Sequence, residues 1–378
     1  MNLGVSTEQR ELRESVRRFL AERAPLARVR ELMESTDGTD PDVWRQASAQ
    51  LGLPGIAVPE EYGGAGFSFA EQAIVLEELG GALFTGPYLA SAVLAAATLL
   101  ASDDQETRKD LLPGIAAGET VATLAFTEDG GSWDPASIRL TATKNTAAKG
   151  NNGWRLNGHK SFVLDGHSAD LILAVAATET DGKLSLFTVT GTADGLTRRP
   201  LPTLDQTRKL ARLAFNHTPA RLVGEPGAAR AVLDHALDVA AVALAAEQLG
   251  GAQRALDMAV GYAKVRQQFG RPIGSFQAIK HRCADLLLEV ESLRSAVGYA
   301  AAAVAADSTE VPVLASLLKA YAWEVYSHVA GENIQIHGGI GFTWEHDAHL
   351  YLKRAKASEL FLGDASYHRE RLATRIGL

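Results

Sequence analysis

The chain has 378 residues, enough for a large core divided into two or three domains, and its 37 basic against 45 acidic side chains make it mildly acidic. That balance argues against a nucleic-acid face, which needs clustered cations, and equally against an anionic membrane surface. A single cysteine, Cys283, excludes an intramolecular disulfide framework and suits a reducing compartment.

The opening MNLGVSTEQRELRES lacks the charged-then-apolar order of a secretory signal. The longest apolar run, near Ala90–Ala101, is about 12 residues, too short to cross a bilayer. A cytoplasmic protein with no membrane insertion is expected. Thr7 to Arg23 reads as an amphipathic helix capped by Ser6 or Thr7, with Leu12, Val16, Phe19 and Leu20 in its apolar stripe. A second helix starts at Pro41 and is stopped by Gly52, Pro54 and Gly55. The loop AVPEEYGGAGFS follows, and helices resume at Phe69–Leu79, Leu89–Leu100 and Gln105–Ala117.

From Val121 the pattern changes to short β-prone runs: Val121–Phe126, Arg139–Thr143, Trp154–Val163, Asp170–Ala177, Lys183–Thr190 and Arg212–His217. Turn signals separate them, among them Asn151-Asn152-Gly153, Asn157-Gly158 and Asp181-Gly182. Strands at this spacing predict a small barrel or sandwich. Helices return near Pro226 and run over 229–265, 276–306 and 311–336, with a last pair after Trp344. The expected fold class is mostly α with a central β domain. Its boundaries fall at 1–120 for a helical domain, 121–226 for a β-barrel domain and 227–378 for a helical bundle.

Five stretches could carry chemistry. In the first, Arg266 and Arg271 flank Phe269 at a turn held by Gly270, Pro272 and Gly274, with Gln277 just beyond. Guanidinium forks clamp phosphate and an aromatic ring covers a flat ligand, although solvated arginines at a helix end explain the same residues. The second, Phe126 to Trp133, offers backbone amides at Gly130 and Gly131 and hydroxyls at Thr127 and Ser132. His159 to Leu164 puts Phe162 on a strand of the same domain, where a core phenylalanine is the simpler meaning. The run Gln335-Ile336-His337-Gly338-Gly339-Ile340-Gly341 ends a helix and lacks the strand and helix that a dinucleotide fingerprint needs. Glu345, His346, Asp347 and His349 crowd together, but adjacent residues face different sides of a helix, so no metal is expected.

Taken together, in this order, these segments resemble the acyl-CoA dehydrogenase family over essentially the whole chain. TEQRELRESVRRFLAE and GIAVPEEYGGAG are similar to its first domain, TEDGGSWDP and KSFVLDG to its flavin-binding strands, and RQQFGRPIGSFQAIK and QIHGGIGF to two of its motifs. The resemblance implies a helical domain, a β domain and a four-helix bundle, assembled as a dimer of dimers around FAD. Phe126, Thr127 and Ser132 would hold the flavin, flanked by Phe162 and Leu164. From a neighbouring subunit Arg266, Gln268, Phe269 and Gln277 would reach the pyrophosphate and adenosine, beside Gln335, Gly338 and Gly339. The implied reaction is α,β-dehydrogenation of an acyl-CoA thioester. A carboxylate takes the α-proton, the β-hydrogen leaves as hydride to the flavin, and an electron-transferring flavoprotein reoxidises it.

Departures from the family pattern bear on the base. The usual Glu of a Tyr-Glu-Gly-Thr segment is here Leu362, and the alternative position on the long helix is Ala240 or Ala241. Glu247, two turns along the same helix and set in AVALAAEQLGG, is the candidate base. Pairing with an arginine across the bundle, or lining the pocket without chemistry, are its other roles. Asp364 is a weaker candidate. Leu164 stands where a hydroxyl normally meets the flavin, and Trp133 where a Ser is usual. These losses open a second hypothesis: a flavin-binding but catalytically incomplete subunit of an α2β2 heterotetramer acting on steroid side chains or other bulky acyl-CoAs, rather than a homotetramer. The small residues of ASAVLAAATLL are compatible with a roomy pocket. A flavin oxidase or monooxygenase on the same fold is a third.

Overall fold

The computed structural model describes residues 6–144, 153–179 and 181–378, so the Asn151-Asn152 part of one expected turn lies outside the described residues. Helix α1 (Thr7–Arg23) begins with a capping box: the Ser6 hydroxyl accepts from the Gln9 amide while the Gln9 side chain accepts from the Ser6 N–H. A helix not expected, α2 (Leu26–Glu34), hides only Val29, Leu32 and Met33, a stripe too brief to register as periodic. Then come α3 (Pro41–Leu51), halted by Gly52 in the left-handed conformation, and α4 (Phe69–Gly81). A π-helical stretch, Leu89–Ala95, runs into α5 (Ala96–Ala101), and α6 (Gln105–Ala116) follows.

Seven strands among the described residues form one sheet: β1 (Ala122–Ala125), β2 (Thr141–Lys144), β3 (Trp154–Leu164), β4 (Leu171–Thr178), β5 (Leu184–Thr190), β6 (Leu196–Leu201) and β7 (Leu210–Val223). The pairings run β4–β2–β3–β7–β5 and return from β5 to β4, so the sheet closes into a barrel. On one edge of β4, β1 and β2 lie end to end and parallel to it; the other edge takes β5 antiparallel. β4 is buried almost throughout, which explains its unbroken apolar run, LILAVAAT. β6, not expected, reads LTRRPL; its arginines and proline suit an exposed edge strand that pairs only with β7. Leu156, Ile172, Phe187, Leu213 and Phe215 fill the barrel, and Trp154 tilts onto Phe187 at 5.3 Å.

The remaining helices are α7 (Ala229–Val265), α8 (Gln277–Ala305), α9 (Val311–His337), α10 (Ala348–Leu360) and α11 (Ala365–Arg375). Contacts divide the chain into two compact units. One gathers residues 1–30, 69–84 and 241–378; the other gathers 31–68 and 85–240. The first is helical and the second holds the barrel with its covering helices. In the helical unit α4 crosses α7 so closely that a Cβ added at Gly80 would fall 1.9 Å from the Glu247 carbonyl. One added at Gly250 would fall 1.7 Å from that of Glu77. Positions 239–252 of α7 are buried all round, as a central helix must be. Two carboxylates of α4 meet three arginines: Arg13 bridges Glu77 at 2.7 Å and Glu78 at 3.0 Å, Arg17 holds Glu78, and Arg294 holds Glu77. No helix among the described residues is long and apolar enough to cross a membrane.

Candidate active site

In the barrel unit the chain leaves β1 at Phe126 and Thr127, both buried. Their neighbours on β3 are set by a bulge. β3 pairs with β7 through Lys160, then skips to Val163, leaving Ser161 and Phe162 out of the ladder. Phe162 sits at φ +57°, left-handed backbone that a phenylalanine rarely adopts. The freed Ser161 turns to the other strand instead: its N–H donates to the Thr127 carbonyl at 2.9 Å, and the Thr127 hydroxyl donates to the Ser161 carbonyl at 2.6 Å. Lys160, with no exposed surface, donates to the Phe126 carbonyl at 3.0 Å and to Glu128 Oε1 at 2.9 Å. Burial pushes its ammonium down to about 8, with Glu128 opposing the shift. Glu128 Oε1 also accepts from the N–H groups of Arg139 and Leu140, each at 2.8 Å. Outside this knot Arg212 forks onto Asp129 at 3.0 and 2.9 Å, and the Ser161 hydroxyl donates to the same carboxylate. The Arg212 hydrogen bonds, then Ser161, hold Asp129 well below the usual carboxylate range. Ser132 is exposed and its oxygen accepts from the Asp134 N–H at 3.2 Å; Trp133 tilts onto Phe126 at 5.7 Å; Leu164 is buried.

In the helical unit α7 ends at Val265, the bound read from the sequence. The chain then makes a hairpin, with Gln267 opposite Pro272 and Gln268 opposite Arg271. Its two loop residues, Phe269 and Gly270, have φ +55° and +75°, the signature of a tight two-residue turn. The local pairing rather than the glycine stops the helix. Arg266, Gln268, Phe269 and Gln277 are all exposed, Phe269 at 91 %, and Arg271 stacks its guanidinium 4.2 Å over Phe276. A small core of Ala259, Ala263 and Ile336, against which Tyr262, Ile273 and Ile279 pack, joins the root of this hairpin to the end of α9. Gln335, Gly338 and Gly339, also exposed, therefore stand beside it. The Tyr262 ring stacks on His337 at 4.3 Å, and His337 Nδ1 lies 2.8 Å from the Asn333 carbonyl. Cys283 on α8 is half-buried against this core, and burial raises its thiol. Asp347 is bridged by Arg30 at 2.7 Å and His346 accepts from the Ala348 N–H. No group of three or more His, Cys, Asp or Glu suited to a metal ion occurs among the described residues.

Leu362 is buried at φ +64° in the α10–α11 turn. Two groups grip that turn from below: Lys319, fully buried, donates to the carbonyls of Gly363 at 2.8 Å and Glu359 at 3.0 Å, and His368 Nε2 donates to the Leu362 carbonyl at 2.9 Å. Burial drives His368 down to about 4. Asp364 caps α11, accepting from the Tyr367 N–H at 2.8 Å. Ala240 and Ala241 are buried. Glu247 is buried too, and Arg354 Nη1 donates to its Oε1 at 2.7 Å; neither side chain exceeds 9 % exposure. The pairing with an arginine, one of the roles open to Glu247, is the one the structure displays. Sequence reasoning missed Arg354, Lys160, Glu128 and Lys319. Lys160 in HKSFVL and Lys319 in SLLKAYA are lone ionic side chains in largely apolar runs, a signal mute about partners; Glu128 in TEDGG and Arg354 in LKRAK carry no such signal.

The chain is thus helical and interrupted by a closed barrel, with an aromatic bulge in the barrel and an arginine hairpin after a long helix. Three family models tile it: acyl-CoA dehydrogenase N-terminal domain over residues 6–119, middle domain over 123–217 and C-terminal domain over 227–377. The chain belongs to the acyl-CoA dehydrogenase family, whose members are oxidoreductases acting on acyl-CoA. It is 37 % identical to acyl-CoA dehydrogenase IpdE2 of Mycolicibacterium smegmatis, covering 98 % of this chain and 100 % of that one. Among solved structures it resembles a variant of the steroid ACAD Tcur3481-Tcur3483 at 33 % identity and TM-score 0.87, covering 99 % of this chain and 98 % of that one. It also resembles the ChsE4-ChsE5 complex from Mycobacterium tuberculosis at 29 % identity and TM-score 0.87, covering 100 % and 99 %.

Proposed function

We propose that this chain binds FAD and takes part in the α,β-dehydrogenation of a bulky, steroid-type acyl-CoA thioester, as one subunit of a mixed assembly whose homologous partner supplies the proton acceptor. The observation that carries the second half is the fate of the carboxylates. The turn where the family keeps its base presents Leu362, and Glu247 is spent on Arg354. For Glu247 to swing onto a substrate would break a buried charge pair, a change that costs about 3–5 kcal/mol.

The residues present fit a flavin. Gly131 takes φ +67°, backbone that favours glycine, and the place its Cβ would occupy lies in ordinary contact with the Phe162 ring at 3.9 Å. The Ser132 hydroxyl accepts from Asp134 and keeps its own proton to donate. Arg266 on the exposed hairpin offers a guanidinium to a pyrophosphate across a subunit boundary. Phe126, Thr127, Phe162 and Leu164 would line the ring system, and Gln268, Phe269, Gln277, Gln335, Gly338 and Gly339 the adenosine side. When bound, FAD supplies the acceptor for the β-hydrogen and its electron pair. The chain's own part is to hold and orient that acceptor and to keep water off the acyl chain. The steroid ACAD likeness and the ChsE4-ChsE5 likeness support the bulky substrate and the mixed α2β2 assembly, and an electron-transferring flavoprotein is the proposed oxidant.

The test is anaerobic bleaching of the flavin with short, long, branched and steroid-type acyl-CoAs, run on the chain alone and after co-expression with a homologous subunit. Bleaching only in the mixture, unchanged by Glu247→Gln, is the expected result. Bleaching by the chain alone that Glu247→Gln abolishes, with flavin still bound, would instead make Glu247 the base. Peroxide formation in air would mark an oxidase.

A further inference from the structure

A lysine with no exposed surface is an expensive component, because its charge must be taken out of water and repaid by near-ideal partners. In the barrel Lys160 occupies such a place. Both partners of its Nζ, the Phe126 carbonyl and Glu128 Oε1, lie on the connection that leaves β1, and neither belongs to the barrel's ladder. Glu128 carries the tie onward to the N–H groups of Arg139 and Leu140, at the entrance to β2. One ammonium thus fixes three segments: the end of β1, the start of β2 and its own strand. Immediately after Lys160 that strand breaks its pairing, so that Ser161 bonds Thr127 and Phe162 turns into the left-handed region. A strained φ of this kind persists only where the surroundings impose it. Here the imposing contacts are Ser161 on Thr127 and Lys160 on the two residues either side of Thr127.

We infer that Lys160 is a positioning residue for the cofactor: by pinning Phe126 and Glu128 it locks the 126–133 segment in register with the bulged Phe162, so that both meet the flavin as one preformed surface. The inference rests on the reading that this segment holds FAD. A lysine serving only as core glue would show itself in stability. A positioning lysine shows itself in affinity and in the spectrum of the bound flavin, because the cost of assembling the surface moves into the binding step.

Lys160→Met keeps the length of the stem and leaves Glu128 its two backbone donors, so the barrel retains its ladder and core. The wild-type assembly and the variant are stripped of flavin and titrated with FAD, following flavin absorbance and intrinsic tryptophan fluorescence. FAD binding should weaken roughly 10- to 100-fold, the worth of a hydrogen bond to a charged group, and the flavin band should lose its fine structure. The FAD-free protein should keep its far-ultraviolet circular dichroism and a cooperative melt. Glu128→Gln, which leaves Lys160 a neutral acceptor, should move affinity in the same direction by less. Wild-type-like affinity in Lys160→Met, within about twofold, overturns the inference. So does a collapsed melt in Lys160→Met together with unchanged affinity in Glu128→Gln, which would make the lysine core glue. If the wild-type assembly takes up no FAD at all, the flavin reading itself falls and takes this inference with it.

Discussion

Arg354→Met keeps most of the stem of a side chain and strips the guanidinium from a buried pair. Arg354 and Glu247 meet at 2.7 Å with 4 % and 9 % of their side chains exposed, so solvent screening is slight and neither can reach bulk water without local unfolding. Removing one partner leaves the other charge buried, a change that destabilises by about 3–5 kcal/mol. Spread over the entropy of unfolding, that lowers the melting temperature by about 4–6 °C if the chain unfolds as one block, and by about twice as much if the helical unit melts alone. Glu247→Leu should do similar harm for the mirror reason. The double variant, which replaces the pair by two apolar side chains, should recover most of the loss, giving a coupling of about 2 kcal/mol or more in a double-mutant cycle. Calorimetry or guanidinium unfolding of the four proteins reads it directly. Additive losses, or an Arg354→Met protein that melts with the wild type, would refute the claim that Glu247 is held by this arginine, and with it the argument that Glu247 is not free to act as a base.

Two further outcomes follow from the geometry. Gly250→Ala places a methyl 1.7 Å from the Glu77 carbonyl where α4 crosses α7, so the helices must part; a loss of about 3 kcal/mol or more, or failure to accumulate in soluble form, is expected, and a melt unchanged by the substitution would count against the close crossing. His368 should make the helical unit acid-sensitive. Its ring is buried with Nδ1 lacking a partner among the described residues, and burial lowers it to about 4. The unfolded chain therefore takes up a proton first: stability is intact above about 6.5, falls by about 3 kcal/mol as pH drops towards 4, then levels off. His368→Gln should flatten the dependence of melting temperature on pH over that window.

The order of elements, helices then strands then helices, was legible because it is written in local periods: the stripe of α1, the Gly52 stop, the turn residues between β2 and β7. The cofactor-type segments were legible for a similar reason, since they are contiguous strings. What escaped were features whose stabilisation comes from elsewhere. α2 is too short to declare a period, and β6 survives as a strand only because β7 offers it an edge. The end of α7 at Val265 was read correctly, but the hairpin pairing of Gln267–Gln268 with Arg271–Pro272 that follows it was not.

By itself the sequence determined the family, the absence of a carboxylate at position 362 and the candidacy of Glu247, because residue identity is all those statements need. Only the tertiary structure decided what the buried charges do. Arg354 lies 107 positions from Glu247, and Lys160 lies more than thirty from Phe126 and Glu128. No spacing rule spans such gaps. A buried ion is tolerated only where distant segments bring it a partner, so the role of each is fixed by packing, and the sequence can name the residue long before it can say whether that residue is a base, a brace or a pin.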